Sequence, residues 1–249
     1  HYEIDFEDLE NKIIENNVKL MFFCSPHNPV GRVWTTDEIT KVGEIALKHG
    51  VVVVSDEIHC DIVRKGYTHH IFDEAFPKLK DQLIVCTAPS KTFNIAGLQV
   101  SNIFIPNEDI RKKIVKQIDK AGYSQLNVAG LVACKAAYEG GEEWLKECKD
   151  YLEGNLAYIR EFVKTNLPKV KLVEPEGTYF AWLDFSGLGL SYKEVSDLIL
   201  NTAKVWLDEG EIFGEGGRCF QRIAYACQRS TLEEALNRIQ TALGTVLLS

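Results

Sequence analysis

The sequence predicts an α/β fold with a mostly parallel central sheet and helices on both faces, followed by a smaller α+β region. Three observations carry this. The runs VKLMFFC (18–24), VVVVS (51–55) and LIVCT (83–87) are apolar almost throughout, as strands covered on both faces are. A helical pattern separates the first two, so strands and helices alternate as in a parallel sheet. Beyond about residue 150 the order changes to a long helix followed by KLV (171–173) and TYFAWLDF (178–185), which read as antiparallel strands. The expected division is 1–149 for the larger domain and 150–249 for the smaller.

The elements follow from local signals. Thr35 and Glu38 form a capping-box pattern at the start of the first inter-strand helix. That helix carries Ile39, Val42, Ile45 and Ala46 on one face, and Gly50 stops it. Residues 108–120 place Ile110, Ile114 and Ile118 at helical spacing, and 127–138 form a small-residue helix. Residues 142–166 read as one long helix with Trp144, Cys148, Tyr151, Leu152 and Ile159 on a face, closed by Pro168. Ser191 with Glu194 predicts another cap. CFQRIAYAC (219–227) predicts a strand, and Ser230 with Glu233 a cap for the last helix.

Composition narrows the function classes. The chain has 249 residues, 28 Lys and Arg against 36 Asp and Glu, a formal net charge of −8 and a pI near 5.4. An acidic chain without basic blocks argues against nucleic acid and against an anionic membrane surface. No stretch is apolar for long enough to span a bilayer, and no signal peptide opens the chain. The seven cysteines are odd in number and none has CxxC spacing, which predicts reduced thiols and a cytoplasmic location. The opening HYEIDFEDLENKI already looks like the inside of a protein, and Met21 is the one methionine, so a fragment or a processed chain is expected.

Polar residues gather where the predicted strands end. Asn28 follows the first strand, Asp56 the second, and Ser90 with Lys91 the third. In α/β sheets, ligands bind at the carboxyl ends of strands. An amine, a carboxylate, an amide and a hydroxyl suit pyridoxal phosphate. The amine condenses with its aldehyde, the carboxylate keeps its pyridine nitrogen protonated, the amide donates to the ring hydroxyl and the hydroxyl to the phosphate. Each residue alone would be an ordinary loop residue; their order and spacing make the pattern. A metal site is not expected, because Asp56, Glu57, His59, Asp61, His69 and His70 lack any fixed ligand spacing. The glycines of GEGG (214–217) lack a strand–loop–helix setting and read as a turn.

HNPVGRVW (27–34), SDEIHCDIV (55–63) and PSKTFNIAGLQ (89–99) resemble the fold-type I pyridoxal-phosphate enzymes of the class I/II aminotransferase superfamily, and within it the MalY/PatB branch of cystathionine β-lyases. GEEWL (141–145), EPEGTYFAWLDF (174–185) and FGEGGRCFQRIAYACQRSTLEEAL (213–236) extend the resemblance along the whole chain. It implies the PLP-transferase type I fold, with the sheet incomplete because the family's N-terminal portion is absent. It implies Lys91 as the residue that joins the cofactor and removes the Cα proton, and Asp56 as the partner of the pyridine nitrogen. Asn28 is implied at the ring hydroxyl, Ser90 at the phosphate and Arg222 at the substrate α-carboxylate. His59 stands where many aminotransferases have a tyrosine at the ring hydroxyl, and Gln99 where many have a phosphate-binding arginine. Both match the β-lyase branch. The implied activity is cleavage of cysteine S-conjugates to thiol, pyruvate and ammonia by a homodimer. With the N-terminal portion missing, little cofactor binding is expected. Transamination on the same site is the alternative, and contact with a transcriptional regulator without catalysis is the second.

Overall fold

The structure, a computed structural model, describes residues 1–123 and 125–247. Among these residues the chain forms two compact units: one within 2–27 and 32–147, the other within 28–31 and 148–247 together with His1.

The first unit contains α1 (Phe6–Glu15), β1 (Leu20–Cys24), α2 (Thr36–His49), β2 (Val52–Asp56), α3 (Phe72–Ala75), β3 (Leu83–Thr87), α4 (Pro89–Thr92), β4 (Asn102–Phe104), α5 (Glu108–Lys120) and α6 (Val128–Gly140). Its sheet has the order β1-β2-β3-β4. The first three strands run parallel and β4 antiparallel. The Thr35 hydroxyl accepts from the Glu38 N–H, and the Glu38 carboxylate accepts from the Thr35 N–H at 2.8 Å, so the capping box forms as its spacing predicts. Gly50 closes α2 in the left-handed region at φ 66°. Ile39, Val42 and Ala46 of α2 meet Val53, Leu83 and Val85 of the sheet in a core completed by Phe72, Phe76 and Leu79. The two edge strands are less covered: Phe22 of β1 is 76% exposed, and Leu20, Ile103 and Phe104 are exposed too.

The first strand is shorter at its start than the sequence predicts. Val18 N–H donates to Ile13 O, which spends that residue on the exit of α1. The second strand runs one residue further, through Asp56, because Cys24 and Cys86 still flank it in register there.

The other unit contains most of α7 (Glu142–Asn166), then β5 (Lys171–Val173), β6 (Phe180–Asp184), α8 (Tyr192–Asp197), β7 (Asp208–Glu209), β8 (Phe220–Ala224) and α9 (Arg229–Leu247). Its sheet is antiparallel throughout in the order β5-β6-β8-β7. Leu156, Ile159, Trp182, Leu183, Ile223, Leu232 and Leu236 are buried. Asn155, fully buried, donates from Nδ2 to Tyr225 O at 2.8 Å and Cys227 O at 2.9 Å, tying α7 to the end of β8. The Ser191–Glu194 box forms. The predicted Ser230 cap does not: Ser230 lies inside the first turn of α9, and Gln228 O takes the N–H groups of Thr231 and Leu232. The helix therefore starts earlier than the Ser–x–x–Glu spacing indicates.

Candidate active site

Register places the strand ends in one row: Cys24 opposite Asp56, and Asp56 opposite Cys86. Side chains alternate across a strand, so Ser55 and Glu57 share a face and Asp56 points to the other. Ser55 and Glu57 are buried, at 0% and 1%, while Asp56 is half-buried. Asp56 Oδ1 accepts from the Ile58 N–H at 3.2 Å. Its other oxygen makes no hydrogen bond among the described residues.

The chain leaves β3 through an extended Ala88, and Pro89 opens the short α4. Proline suits that position, where the missing N–H costs nothing. Ser90 Oγ donates weakly to Val100 O at 3.4 Å. Thr92, buried, donates to Asp61 Oδ2 at 2.8 Å and pins the turn. Phe93 beyond it meets Tyr138 edge-on at 5.6 Å and Trp144 at 6.0 Å. Lys91 sits between these anchors, half-buried, and among the described residues its amine has no hydrogen bond or ion pair. His59 is buried in the turn after β2, its carbonyl accepting from Ile62 N–H. Gln99 is exposed in the left-handed region at φ 55° and donates to Ala96 O.

Behind the end of β2 the Glu57 carboxylate accepts from Ser55 Oγ at 2.9 Å, His69 Nε2 at 2.8 Å and Phe72 N–H at 3.1 Å. Glu57 and His69 border a cavity of about 540 Å³, shared with Cys60, Asp61, Val85, Thr87 and Phe104. Burial, then the charges of Asp61 and Glu57, push the Cys60 thiol up to about 12, so it offers no thiolate nucleophile there.

In the other unit Arg222 donates from Nε and Nη2 to Asp208 Oδ2 at 3.1 and 2.6 Å, and from Nη1 to Asn28 Oδ1 at 2.5 Å. Its guanidinium lies over the Phe180 ring at 4.1 Å and near the Phe213 ring at 4.8 Å. Of five N–H donors, three are engaged. One remains on each terminal nitrogen, the pair that grips a carboxylate. Asn28 reaches Arg222 because Gly31 N-terminal neighbours fold onto this unit: Glu176 and Gly177 N–H donate to Gly31 O at 2.8 and 2.9 Å. Gly31 has φ 76°, and a Cβ there would fall 2.5 Å from Pro175 Cβ.

The structure thus sets Asp56 and Lys91 at the ends of adjacent parallel strands, and joins Asn28 to Arg222 directly. Sequence reasoning missed Asp208, which lies on a two-residue strand too short for any periodic signal, and it weighed Glu57 and His69 only as metal ligands. A carboxylate two residues after a buried serine on an apolar strand was the available clue to Glu57.

A mostly parallel sheet with an amine and a carboxylate oxygen, both free among the described residues, just beyond neighbouring strand ends fits the class I and II aminotransferase fold. The chain belongs to that family, "Aminotransferase class I and II", which it matches over residues 1–239. It is 44% identical over 243 residues to the cystathionine beta-lyase PatB of Bacillus subtilis, covering 98% of this chain and 63% of PatB. It is 33% identical to the protein MalY of Escherichia coli, covering 97% of this chain and 62% of MalY. The crystal structure of cystalysin from Treponema denticola, which contains a pyridoxal 5′-phosphate cofactor, is similar at a TM-score of 0.95 and 41% identity, covering 98% of this chain and 62% of cystalysin. The chain therefore spans a little under two thirds of the length of these relatives.

Proposed function

We propose that the protein is a pyridoxal-5′-phosphate-dependent carbon–sulfur β-lyase that cleaves cystathionine or related cysteine S-conjugates to a thiol, pyruvate and ammonia. The observation that carries this reading is the Lys91 amine, without a partner among the described residues, on the turn that follows β3, and the open oxygen of Asp56 at the end of the adjacent parallel strand β2. Those groups fit the cofactor: an aldehyde needs a free amine, and a protonated pyridine nitrogen needs a carboxylate acceptor. When bound, pyridoxal phosphate supplies an aldehyde for the amino group and a ring that accepts electrons from Cα.

The chain's own residues supply the rest. Lys91 would hold the cofactor through its amine and would take the Cα proton of the substrate. Asp56 keeps the proton on the pyridine nitrogen. Ser90 donates to the phosphate, and Asn28 and His59 serve the ring hydroxyl. Arg222 grips the substrate α-carboxylate with its two remaining N–H groups. Loss of the Cα proton lets the thiolate leave from Cβ. Water then converts the remaining three-carbon unit to pyruvate and ammonia.

Transamination on the same residues is the second reading, and the family's name favours it. Against it, Gln99 offers an amide where a phosphate-binding cation would serve an aminotransferase, and His59 replaces a phenol. A reducing cytoplasm, supported by seven free cysteines, and a homodimer, as the family resemblance implies, complete the proposal. No helix among the described residues is long and apolar enough to cross a membrane.

The deciding experiment is a visible absorption titration of the chain with pyridoxal phosphate, repeated on Lys91→Ala. Whatever absorption band the wild type forms with pyridoxal phosphate, strong or weak, should be absent in the variant. An identical band in both overturns the assignment of Lys91. Pyruvate formed from cystathionine without a keto-acid acceptor then separates the lyase from the transaminase.

A further inference from the structure

We propose that Glu57 and His69 form a positioning pair that aims the Asp56 carboxylate. This inference rests on the role given to Asp56 above. Glu57 is the next residue in the chain, and its backbone extends the sheet: Glu57 N–H donates to Cys86 O at 2.8 Å. Its side chain points away from Asp56 to the opposite face of the strand, where it is 1% exposed. There it gathers three donors from three places: the Ser55 hydroxyl on the same strand, the His69 ring in the following loop, and the Phe72 N–H at the start of α3. The carboxylate thus clamps the last turn of β2 to the loop that returns toward β3.

His69 serves this clamp alone among the described residues. Its Nε2–H donates to Glu57 Oε2 at 2.8 Å, and its Nδ1 is buried without a hydrogen bond. Its side chain is 8% exposed. A histidine held by one polar contact in a buried layer has its orientation set by that contact. Asp56 and Glu57 share one stretch of backbone, so a clamp on the Glu57 side chain and its N–H holds the main chain from which the Asp56 carboxylate projects to the other face. A bond to a buried carboxylate is among the stronger hydrogen bonds, so its loss is felt at the neighbouring residue.

The test uses the chain itself and does not depend on cofactor. Ile58 N–H is bonded to Asp56 Oδ1, so its hydrogen exchange reports how firmly that carboxylate is held. In His69→Ala, exchange at Ile58 should quicken roughly tenfold or more, the worth of one hydrogen bond to a charged group. Exchange at Val53 and Val85, in the middle of their strands, should stay the same. His69→Gln, which restores a donor, should return Ile58 to its wild-type rate. Unchanged exchange at Ile58, or an equal rise throughout β2 and β3, overturns the pair as a positioning device. Where pyridoxal phosphate binds, the same two variants should weaken and restore its affinity in step with the exchange rates; affinity untouched by His69→Ala overturns the link to Asp56. The functional reading fails separately, on Lys91→Ala leaving the cofactor absorbance intact.

Discussion

At the scale of single residues, each proposed role depends on what its neighbours leave unsatisfied. Arg222 keeps two N–H groups because Asp208 and Asn28 occupy the other three. Asp208 also fixes the plane of the guanidinium between two rings. Asp208→Ala should therefore raise KM for an amino-acid substrate by roughly tenfold, the worth of a charge-assisted hydrogen bond, with a smaller change in kcat; steady-state kinetics over a range of substrate concentrations checks this. Cys60 gives a prediction about pH. A thiol raised to about 12 stays protonated through neutral and mildly alkaline solution, and only above that value does it lose its proton. Against the usual thiol value of 9.0 this leaves roughly a thousandfold less thiolate at pH 8 than in the unfolded chain. Iodoacetamide at pH 8 should label Cys60 far more slowly in native than in denatured protein, read by peptide mass spectrometry. The positions of Asp56 and Lys91 were legible because apolar runs end just before them. The partners of Asp208 and Glu57 were not, since a side chain's bond across strands or loops leaves no trace in local pattern.

Among elements, the caps and turns divide into those written locally and those imposed by packing. The Thr35–Glu38 box was plain in the sequence because both halves lie within one turn. Thr35→Ala should cost about 1 kcal/mol in a denaturant melt, the ordinary worth of an N-cap. The start of α9 misled the same rule, because Ser–x–x–Glu recurs by chance and Gln228 supplied the first carbonyl instead. Gly31 shows the other case. Its positive φ and its closeness to Pro175 arise from a contact made far along the chain, invisible to a local reading. Gly31→Ala should destabilise by about 2 kcal/mol or more, since strain in the left-handed region adds to a backbone clash. A urea transition shifted less than that of Thr35→Ala would contradict this.

For the whole molecule, the alternation of strands and helices announced a parallel sheet, and the observed order β1-β2-β3-β4 carries it with one reversed strand at the edge. That reversal had no sequence signal, because a three-residue strand such as β4 is too brief to declare its direction. The antiparallel sheet of the other unit was legible from the strand runs after residue 170, apart from the two-residue β7. The edges of the first sheet carry a practical consequence. Strand β1 shows Phe22 to water along a border whose outer peptide groups find no strand partner among the described residues, and β4 does the same with Phe104. Such borders are adhesive. Anyone concentrating this polypeptide for crystals or spectra should meet turbidity before reaching the solubility its acidic surface would otherwise allow, and should look first to a lysine at position 22 as the remedy.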